Sequence, residues 1–271
     1  MREQPQEPVD WKEEARKQWT AHPCGSVGEV REDLEYFLEV ERNRYERYAP
    51  WMRETFQFQR WRGKRVLEIG FGQGTDLVQY ASSGATCFGV DITERHLELA
   101  KKHFEVRNLD ASLLLDDASS LPFDDRCFDL VHSFGVLHHA PDTEECFAEA
   151  YRVLKPGGEF LVGLYHRWSA FHLFSVLFER GLIRGHYLRL GYGGLLSTIE
   201  KGADGTYLRP LVKLYSRREL IRKLSAFRRV TVEIKHLEKS HFGTLGRWFP
   251  SSGIGRLEPR IGWYLIARAT K

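Results

Sequence analysis

The chain has 271 residues, and 40 lysines and arginines against 37 aspartates and glutamates give a formal net charge of +3. This length suits one α/β domain with additions, and a hydrophobic share of 42% is ordinary for a globular protein. The small basic excess does not predict a nucleic-acid surface, because phosphate backbones are bound by basic stripes.

The first 63 residues are charged and helical in pattern. Between 31 and 48, apolar and aromatic side chains recur near helical spacing, which predicts a helix after the His22–Gly25 break. The N-terminus lacks the apolar stretch of a signal peptide. The longest uncharged run, 168–178, is far shorter than the ~20 residues of a membrane span. The four cysteines are scattered without C-x-x-C spacing, so we expect reduced thiols, a cytoplasmic protein and no metal site.

From Lys64 onwards, short apolar runs alternate with amphipathic stretches. Strands are predicted at 65–69, 86–90, 112–115, 128–133 and 159–165, and helices at 75–82, 93–104 and 145–154. Such alternation predicts a parallel sheet with helices on both faces.

The alternation is interrupted at 166–215 by aromatic and glycine-rich sequence, and it resumes with a helix at 217–224 and strands at 229–236 and 263–269. The predicted fold is therefore α/β, with a mostly parallel seven-stranded sheet. We divide the chain into an N-terminal helical cap segment (1–63), a cofactor-binding core (64–165), an insertion lining the acceptor site (166–215) and a closing helix and strands (216–271).

Glycines cluster at the end of the first predicted strand. Gly70, Gly72 and Gly74 lead into a helix, and Asp91 ends the next strand. Glycine lets the backbone turn tightly and approach a ligand, and a carboxylate at this place can accept both ribose hydroxyls. Thr75 stands where a dinucleotide loop needs its last glycine or alanine. The loop therefore favours S-adenosylmethionine, which has no pyrophosphate, and NAD(P) is the alternative.

Five motifs follow one another in a recognisable order. They are VLEIGFGQGTD (66–76), GVDIT (89–93), DASSLPF (117–123), FDLVHSFGVLHHAP (128–141) and RVLKPGG (152–158). With them, residues 64–165 resemble the class I S-adenosylmethionine-dependent methyltransferases, particularly the group that includes ubiquinone and menaquinone methyltransferases. The resemblance implies a Rossmann-like fold, a methyltransferase activity and S-adenosylmethionine as the cofactor.

The resemblance also implies which residues contact the cofactor. Glu68 and the three glycines would flank its methionine part, and Asp91 would hold the ribose. Further residues would surround the adenine (Ile92, Asp117, Ala118) or line the wall near the reactive methyl group (Ser133, Phe134). Without the resemblance, Ile92 and Ala118 would be assigned to core packing and Asp117 to a turn.

Several groups could act on the acceptor. His138, Tyr165 and His166 follow strands whose ends face the pocket in this fold, and histidine can transfer a proton near neutral pH. For His139 we favour a structural hydrogen bond. We interpret Cys24 as a small buried apolar residue, with a lid residue or a thiol that handles a soft acceptor as the alternative.

The insertion carries two further features. Aromatic side chains at 168, 171, 174 and 177/178 form one helical stripe, which we interpret as core packing, with a cap over an apolar pocket as the alternative. Arg209, in the segment 204–210, either clamps an acidic acceptor or pairs with a surface carboxylate.

Together these features predict a methyltransferase that acts on a small molecule, apolar or aromatic, in a capped aromatic pocket by in-line displacement. No nucleic acid and no stable membrane insertion is expected. One alternative is a nucleic-acid or protein methyltransferase; against it, residues 133–136 (Ser-Phe-Gly-Val) replace the Asn/Asp-Pro-Pro-Tyr/Phe loop of amino-methylating DNA enzymes. The other is a non-catalytic, S-adenosylmethionine-binding regulatory protein. The acceptor, the methylated atom and the oligomeric state stay open.

Overall fold

Seven strands form one sheet in the order β3-β2-β1-β4-β5-β7-β6 in a computed structural model that describes residues 9–200 and 210–271. The strands are β1 (Arg65–Ile69), β2 (Thr86–Asp91), β3 (Ala111–Leu115), β4 (Phe128–Phe134), β5 (Leu154–Tyr165), β6 (Arg229–Lys235) and β7 (Tyr264–Thr270). β7 pairs antiparallel with both β5 and β6, and the other neighbouring strands are parallel. The predicted mostly parallel, seven-stranded α/β fold is confirmed.

Nine α-helices belong to the described ranges. They are α1 (Trp11–Ala21), α2 (Leu34–Arg42), α3 (Met52–Phe56), α4 (Thr75–Ser82), α5 (Glu94–Val106), α6 (Thr143–Val153), α7 (His186–Leu196), α8 (Arg217–Lys223) and α9 (Ser251–Ile261). Two segments are π-helical, Asn43–Tyr48 and Phe171–Ile183, and three are 3₁₀-helical, Phe58–Trp61, Leu137–His139 and Lys239–Trp248. In the ranges 9–200 and 210–271, no helix has the length and apolar character needed to cross a membrane.

Alternate side chains of β1 enter two separate cores. Val66 packs with α4 and the N-terminal helices on one face, whereas Leu67 packs with α6 and α8 on the other. Both are fully buried, and burial of such a side chain stabilises the fold by about 1.5–3 kcal/mol. The sheet is therefore covered on both faces, and its strand ends are free to form a site.

Local capping explains where α6 begins. The sequence predicts its start at Glu145, but the helix begins at Thr143 because the Asp142 side chain accepts hydrogen bonds from the backbone N–H groups of Glu144 and Glu145, both at 3.0 Å. The hydrophobic pattern of the sequence does not predict this first turn of α6, because its residues are polar.

The aromatic stripe of the insertion is only partly buried. Phe171 packs against the core, but Trp168 is 56% exposed and Phe178 44% exposed, so the core-packing interpretation is wrong for these two. Residues Phe171–Ile183 form a π-helix with hydrogen bonds from i to i+5, so residues at α-helical spacing do not share one face there, and Trp168 precedes this helix. His172, which α-helical spacing puts on the opposite side, is buried.

Candidate cofactor and acceptor site

A cavity of about 560 Å³ lies at the carboxyl ends of β1, β2 and β4. Its floor is formed by the loop after β1, by Asp91 and by Phe134, and α1 lies over it with Trp11, Lys12 and Trp19. The volume falls within the range of about 300–1,000 Å³ that is typical of cofactor and substrate sites. This is the edge of a parallel sheet at which ligands bind.

The glycine loop needs its glycines for two different reasons. Gly70, Gly72 and Gly74 have φ angles of +74°, +54° and +76°, which other residues rarely adopt. A Cβ on Gly70 would also lie 2.4 Å from Val136 Cγ2, whereas nothing lies within 4 Å of one on Gly72. Gly70 and Gly72 line the cavity, while Gly74 caps α4 and faces Ala100 instead. The loop is thus a cradle that lets a ligand approach the backbone.

Asp91 joins the glycine loop to the end of β2. Its Oδ2 accepts the backbone N–H of Gly72 at 3.0 Å, its Oδ1 accepts that of Thr93 at 2.9 Å, and His96 Nδ1 lies 3.2 Å from both oxygens. A carboxylate offers about four acceptor sites. Asp91 lines the cavity and so keeps capacity for ligand hydroxyls while it shapes the loop.

His96 is a site residue that the sequence analysis missed. Its Nε2 accepts the backbone N–H of Cys24 at 3.3 Å, so the proton resides on Nδ1 and faces Asp91. The available signal was a histidine in the first turn of the helix that follows the acidic strand end. Cys24 is exposed and lines the cavity, so its interpretation as a buried apolar residue is wrong.

Glu68 carries an unsatisfied acceptor at the cavity wall. It is 4% exposed, and its Oε2 has no hydrogen-bond partner. Burial, with the charge of Asp76 nearby, raises the pKa of Glu68 well above its usual range. A cationic donor in the cavity, such as the ammonium group of a bound amino acid, would satisfy this oxygen.

A largely buried ion pair lies at the same wall of the cavity as Glu68. Arg44 Nε donates to Asp76 Oδ1 at 2.7 Å, the Arg44 Nη2 donates to Asp76 Oδ2, and the Tyr45 hydroxyl donates to Asp76 Oδ1. Burial alone would raise the pKa of Asp76, but the guanidinium lowers it below its usual value. The pair fixes the N-terminal segment on α4.

At the opposite end, Asp117 is held by the N-terminal helix. Lys12 Nζ lies 2.6 Å from its Oδ2, and its Oδ1 accepts both the N–H and the hydroxyl of Ser119 at 2.8 Å. Burial raises the pKa of Asp117, and the hydrogen bonds from Lys12 and Ser119 outweigh this and lower it. Ile92 and Ala118 line the same end of the cavity.

Aromatic side chains surround a further region of the cavity, away from both Glu68 and Asp117. Phe134 lines it, whereas Ser133 lies behind and donates from Oγ to the Ile69 carbonyl at 3.0 Å. Around this end stand Trp19, Tyr48, Tyr165 and Tyr264, together with His139 and Glu200. The Tyr165 hydroxyl donates to Glu200 Oε1 at 2.5 Å. We call this region the acceptor end.

The two neighbouring histidines differ in their partners. His139 Nδ1 donates to the Leu211 carbonyl at 2.7 Å, a structural hydrogen bond of the kind that the sequence favours. His138 is 0% exposed, its ring centroid lies 3.8 Å from that of Tyr165, and neither ring nitrogen has a partner. Burial lowers the pKa of both imidazoles, most strongly for His138.

The structure brings only part of the predicted catalytic set together. Tyr165 reaches the cavity, and His138 lies directly behind it. His166 does not line the cavity; its Nδ1 donates to the Gly262 carbonyl at 3.0 Å. Arg209 lies outside the described residues.

His132 on β4 makes the stability of the fold sensitive to acid. Its ring is buried beside Phe56 and Tyr80, neither nitrogen has a partner, and burial lowers its pKa to about 4. Between its usual pKa of ~6.5 and this value, the unfolded chain takes up a proton that the folded chain rejects. The contribution of this pKa difference to the unfolding free energy is therefore complete above pH ~6.5, and it decreases as the pH falls.

We therefore expect the loss of unfolding free energy between pH 7.5 and pH 5 to be smaller in His132→Leu by about 2 kcal/mol. Denaturant titrations at both pH values measure it. Tyr80→Phe alters the same cluster without a titration in this window, so it should keep the full loss. An equal loss in His132→Leu and the unchanged protein would contradict the assignment.

Comparison with known proteins agrees with this geometry. Residues 67–162 match the family model described as a methyltransferase domain. The chain is 37% identical over 102 residues to 24-methylenesterol C-methyltransferase 2 of Arabidopsis thaliana. The aligned region covers 36% of this chain and 28% of that protein. It is 29% identical over 116 residues to the ubiquinone biosynthesis O-methyltransferase of Coxiella burnetii, with 43% and 50% covered. It is also 34% identical over 104 residues to 27-O-demethylrifamycin SV methyltransferase of Amycolatopsis mediterranei, with 37% and 38% covered. The matches span half or less of these curated relatives.

Solved structures extend the similarity over more of the chain. An S-adenosylmethionine-dependent methyltransferase from Methanosarcina mazei superposes with a TM-score of 0.58 at 21% identity, covering 80% of this chain and 96% of that one. The PH0226 protein of Pyrococcus horikoshii gives 0.55 at 17% identity, with 94% and 98% covered. At these identities the similarity establishes the fold.

Proposed function

Because this chain belongs to the class I S-adenosylmethionine-dependent methyltransferases, we propose that it transfers a methyl group from S-adenosylmethionine to a small-molecule acceptor in the capped, aromatic-lined cavity. The observation that carries the proposal is the continuity of one cavity from the glycine cradle and Asp91 to the acceptor end. This layout supports the proposed activity, because methyl transfer needs two ligands held end to end.

The residues of the cavity fit the proposed cofactor. The unpartnered Oε2 of Glu68 would accept a hydrogen bond from the ammonium group of the cofactor. Gly70 and Gly72 would let the cofactor approach the backbone, and Asp91 would accept hydrogen bonds from the ribose hydroxyls. When bound, S-adenosylmethionine supplies a methyl group already activated on a sulfonium. Gly74 and Ser133 act indirectly, since the first caps α4 and the second ties β4 to the Ile69 carbonyl.

Ile92, Asp117 and Ala118 form the proposed adenine end. For Asp117 to receive the adenine amino group, Lys12 must give up its place on that carboxylate. The Lys12 side chain is 42% exposed, and an ion pair of this kind contributes only about 0–1 kcal/mol. The exchange therefore costs little.

The acceptor end would mainly align the acceptor with the methyl group of the cofactor. Phe134 and Tyr165 form walls that hold an apolar or aromatic acceptor and exclude water, which suits an in-line displacement. We assign Tyr165 to direct contact with the acceptor. His138 supports the Tyr165 ring from behind, and His166 fixes the end of β5 to the Gly262 carbonyl, so both are positioning residues.

The segments 1–63 and 166–215 supply the proposed cap, through Trp19 and Tyr48 on one side and Glu200 on the other. The printed names of the relatives, which refer to a sterol, to ubiquinone biosynthesis and to a rifamycin, support a small-molecule acceptor. An aromatic cavity with several carboxylates also suits a small molecule better than a nucleic-acid backbone, which needs a basic stripe.

Two measurements test the proposal. Calorimetry should show S-adenosylmethionine binding with a Kd in the range of about 1–100 μM, and no comparable response to NAD. Cell extracts given the protein and methyl-labelled S-adenosylmethionine should yield label in the small-molecule fraction. Tight NAD binding without a response to S-adenosylmethionine, or label confined to RNA or protein, would refute it.

A further inference from the structure

Three groups of metal-ligating side chains are present in the described residues. They are Glu68–Asp76–His132, His236–Glu238–His241 and His138–His139–Glu200, and within each group the ligand atoms lie within 4.8 Å of one another. No metal site was expected from the sequence, so each group has to be judged on the contacts of its atoms.

The first group cannot receive a cation. Both oxygens of Asp76 accept hydrogen bonds from the Arg44 guanidinium, and its positive charge repels a metal ion at this distance. In the second group, His241 Nδ1 already accepts the backbone N–H of Glu238 at 3.3 Å, and the Glu238 side chain is 48% exposed. Neither group offers three free ligand atoms in a fixed geometry.

In the third group each side chain keeps a lone pair, because the Tyr165 hydroxyl occupies only one of the about four acceptor sites of the Glu200 carboxylate. His139 donates from Nδ1 to the Leu211 carbonyl, so its Nε2 keeps a free lone pair, and this atom lies 3.9 Å from Glu200 Oε1. His138 adds an imidazole that is 0% exposed with both nitrogens unpartnered. A buried polar atom without a partner destabilises the folded chain, and a ligand in this place would remove that penalty.

We propose that His138, His139 and Glu200 bind one divalent transition-metal ion at the acceptor end. Two imidazoles and one carboxylate suit Zn²⁺, Fe²⁺ or Co²⁺, whereas Mg²⁺ and Ca²⁺ prefer oxygen ligands alone. The surroundings are those of a metal centre, because the Leu211 carbonyl orients His139 and the Tyr165 hydroxyl orients Glu200.

The proposed ion would face the cavity. His139 and Glu200 line the cavity, and three protein ligands leave a coordination position open. An acceptor with a hydroxyl or carboxylate oxygen would bind there, which narrows the acceptor class. This last step rests on the proposed methyl transfer, whereas the metal site itself does not.

The test is a titration of the full-length, metal-free protein with Co²⁺, followed by visible absorption, and with Zn²⁺ by calorimetry. We expect one ion per chain and a new Co²⁺ absorption band. Glu200→Gln keeps an acceptor for the Tyr165 hydroxyl, and His139→Asn keeps a side-chain amide donor toward Leu211. Each should weaken metal binding by at least about tenfold.

Glu238→Gln is the matched control, because it alters the carboxylate of the second histidine-containing group and should leave Co²⁺ binding unchanged. The proposal is wrong if the protein binds neither ion below about 1 mM. It is also wrong if Glu200→Gln and His139→Asn bind as tightly as the unchanged protein, or if only Glu238→Gln loses the ion. Because binding is the readout, a protein that binds Co²⁺ but transfers no methyl group would contradict the proposed function and leave the metal site standing.

Discussion

Asp91→Ala is expected to weaken S-adenosylmethionine binding about 100-fold. The carboxylate would accept the ribose hydroxyls, and charge-assisted hydrogen bonds contribute about 1.5–3 kcal/mol each. The substitution also releases the backbone N–H groups of Gly72 and Thr93, which Asp91 holds at 3.0 and 2.9 Å, so the glycine cradle loosens. Isothermal calorimetry gives the change in Kd.

Two further variants separate the direct and indirect effects of Asp91. Asp91→Asn keeps one carbonyl oxygen for the loop and loses the charge, so its binding loss reports mainly the contact with the ribose. Asp110→Ala removes an exposed carboxylate just before β3 and should leave the Kd unchanged. If Asp91→Ala binds the cofactor as tightly as the unchanged protein, the ribose assignment fails.

Arg44→Met is expected to lower the unfolding free energy by about 3–5 kcal/mol, because it leaves the Asp76 carboxylate buried without its partner. Asp76 is 2% exposed, and beyond Arg44 its side chain keeps the Tyr45 hydroxyl. Since the pKa of Asp76 is lowered in the folded chain, the pair stabilises the fold fully at pH 7. This contribution is lost only as the pH falls below the usual pKa of ~3.9 through the lowered one. Urea titration at pH 7 measures the change.

Arg42→Met, two residues earlier, is the matched control. Arg42 pairs with Glu39 at the surface, so its removal should change the unfolding free energy by less than about 1 kcal/mol. Combining Arg44→Met with Asp76→Asn should recover part of the loss, since the stranded charge is then gone. Equal stability of Arg44→Met and Arg42→Met would show that the buried pair does not support the fold.

The sequence predicts the sheet well, for a physical reason. Parallel strands are buried on both faces and read as short apolar runs, so β1 and β2 are found nearly to the residue. Gly70 and Asp91 end these strands, so their meeting at one edge follows from the chain order alone. Helix starts are harder, because a polar cap such as Asp142 determines them.

The rest of the site depends on contacts between distant parts of the chain. Lys12 contacts Asp117, which is 105 residues away (117 − 12), and Cys24 contacts His96, which is 72 residues away (96 − 24). No local sequence pattern predicts such pairs. Glu200 stands alone in a glycine-rich stretch and belongs to no motif, so only the folded chain reveals that it faces His139 and Tyr165.

Helix α1 reaches both ends of the cavity. Lys12 contacts Asp117 at the proposed adenine end, and about two turns further on, the Trp19 ring lies 5.8 Å from that of His139 at the acceptor end. One helix therefore covers both ends of the cavity. For the proposed methyl transfer, a movement of α1 away from the cavity would give S-adenosylhomocysteine and the methylated product access to solvent in the same event. We accordingly expect the opening rate of this one element to limit turnover, with both products leaving before either substrate is replaced.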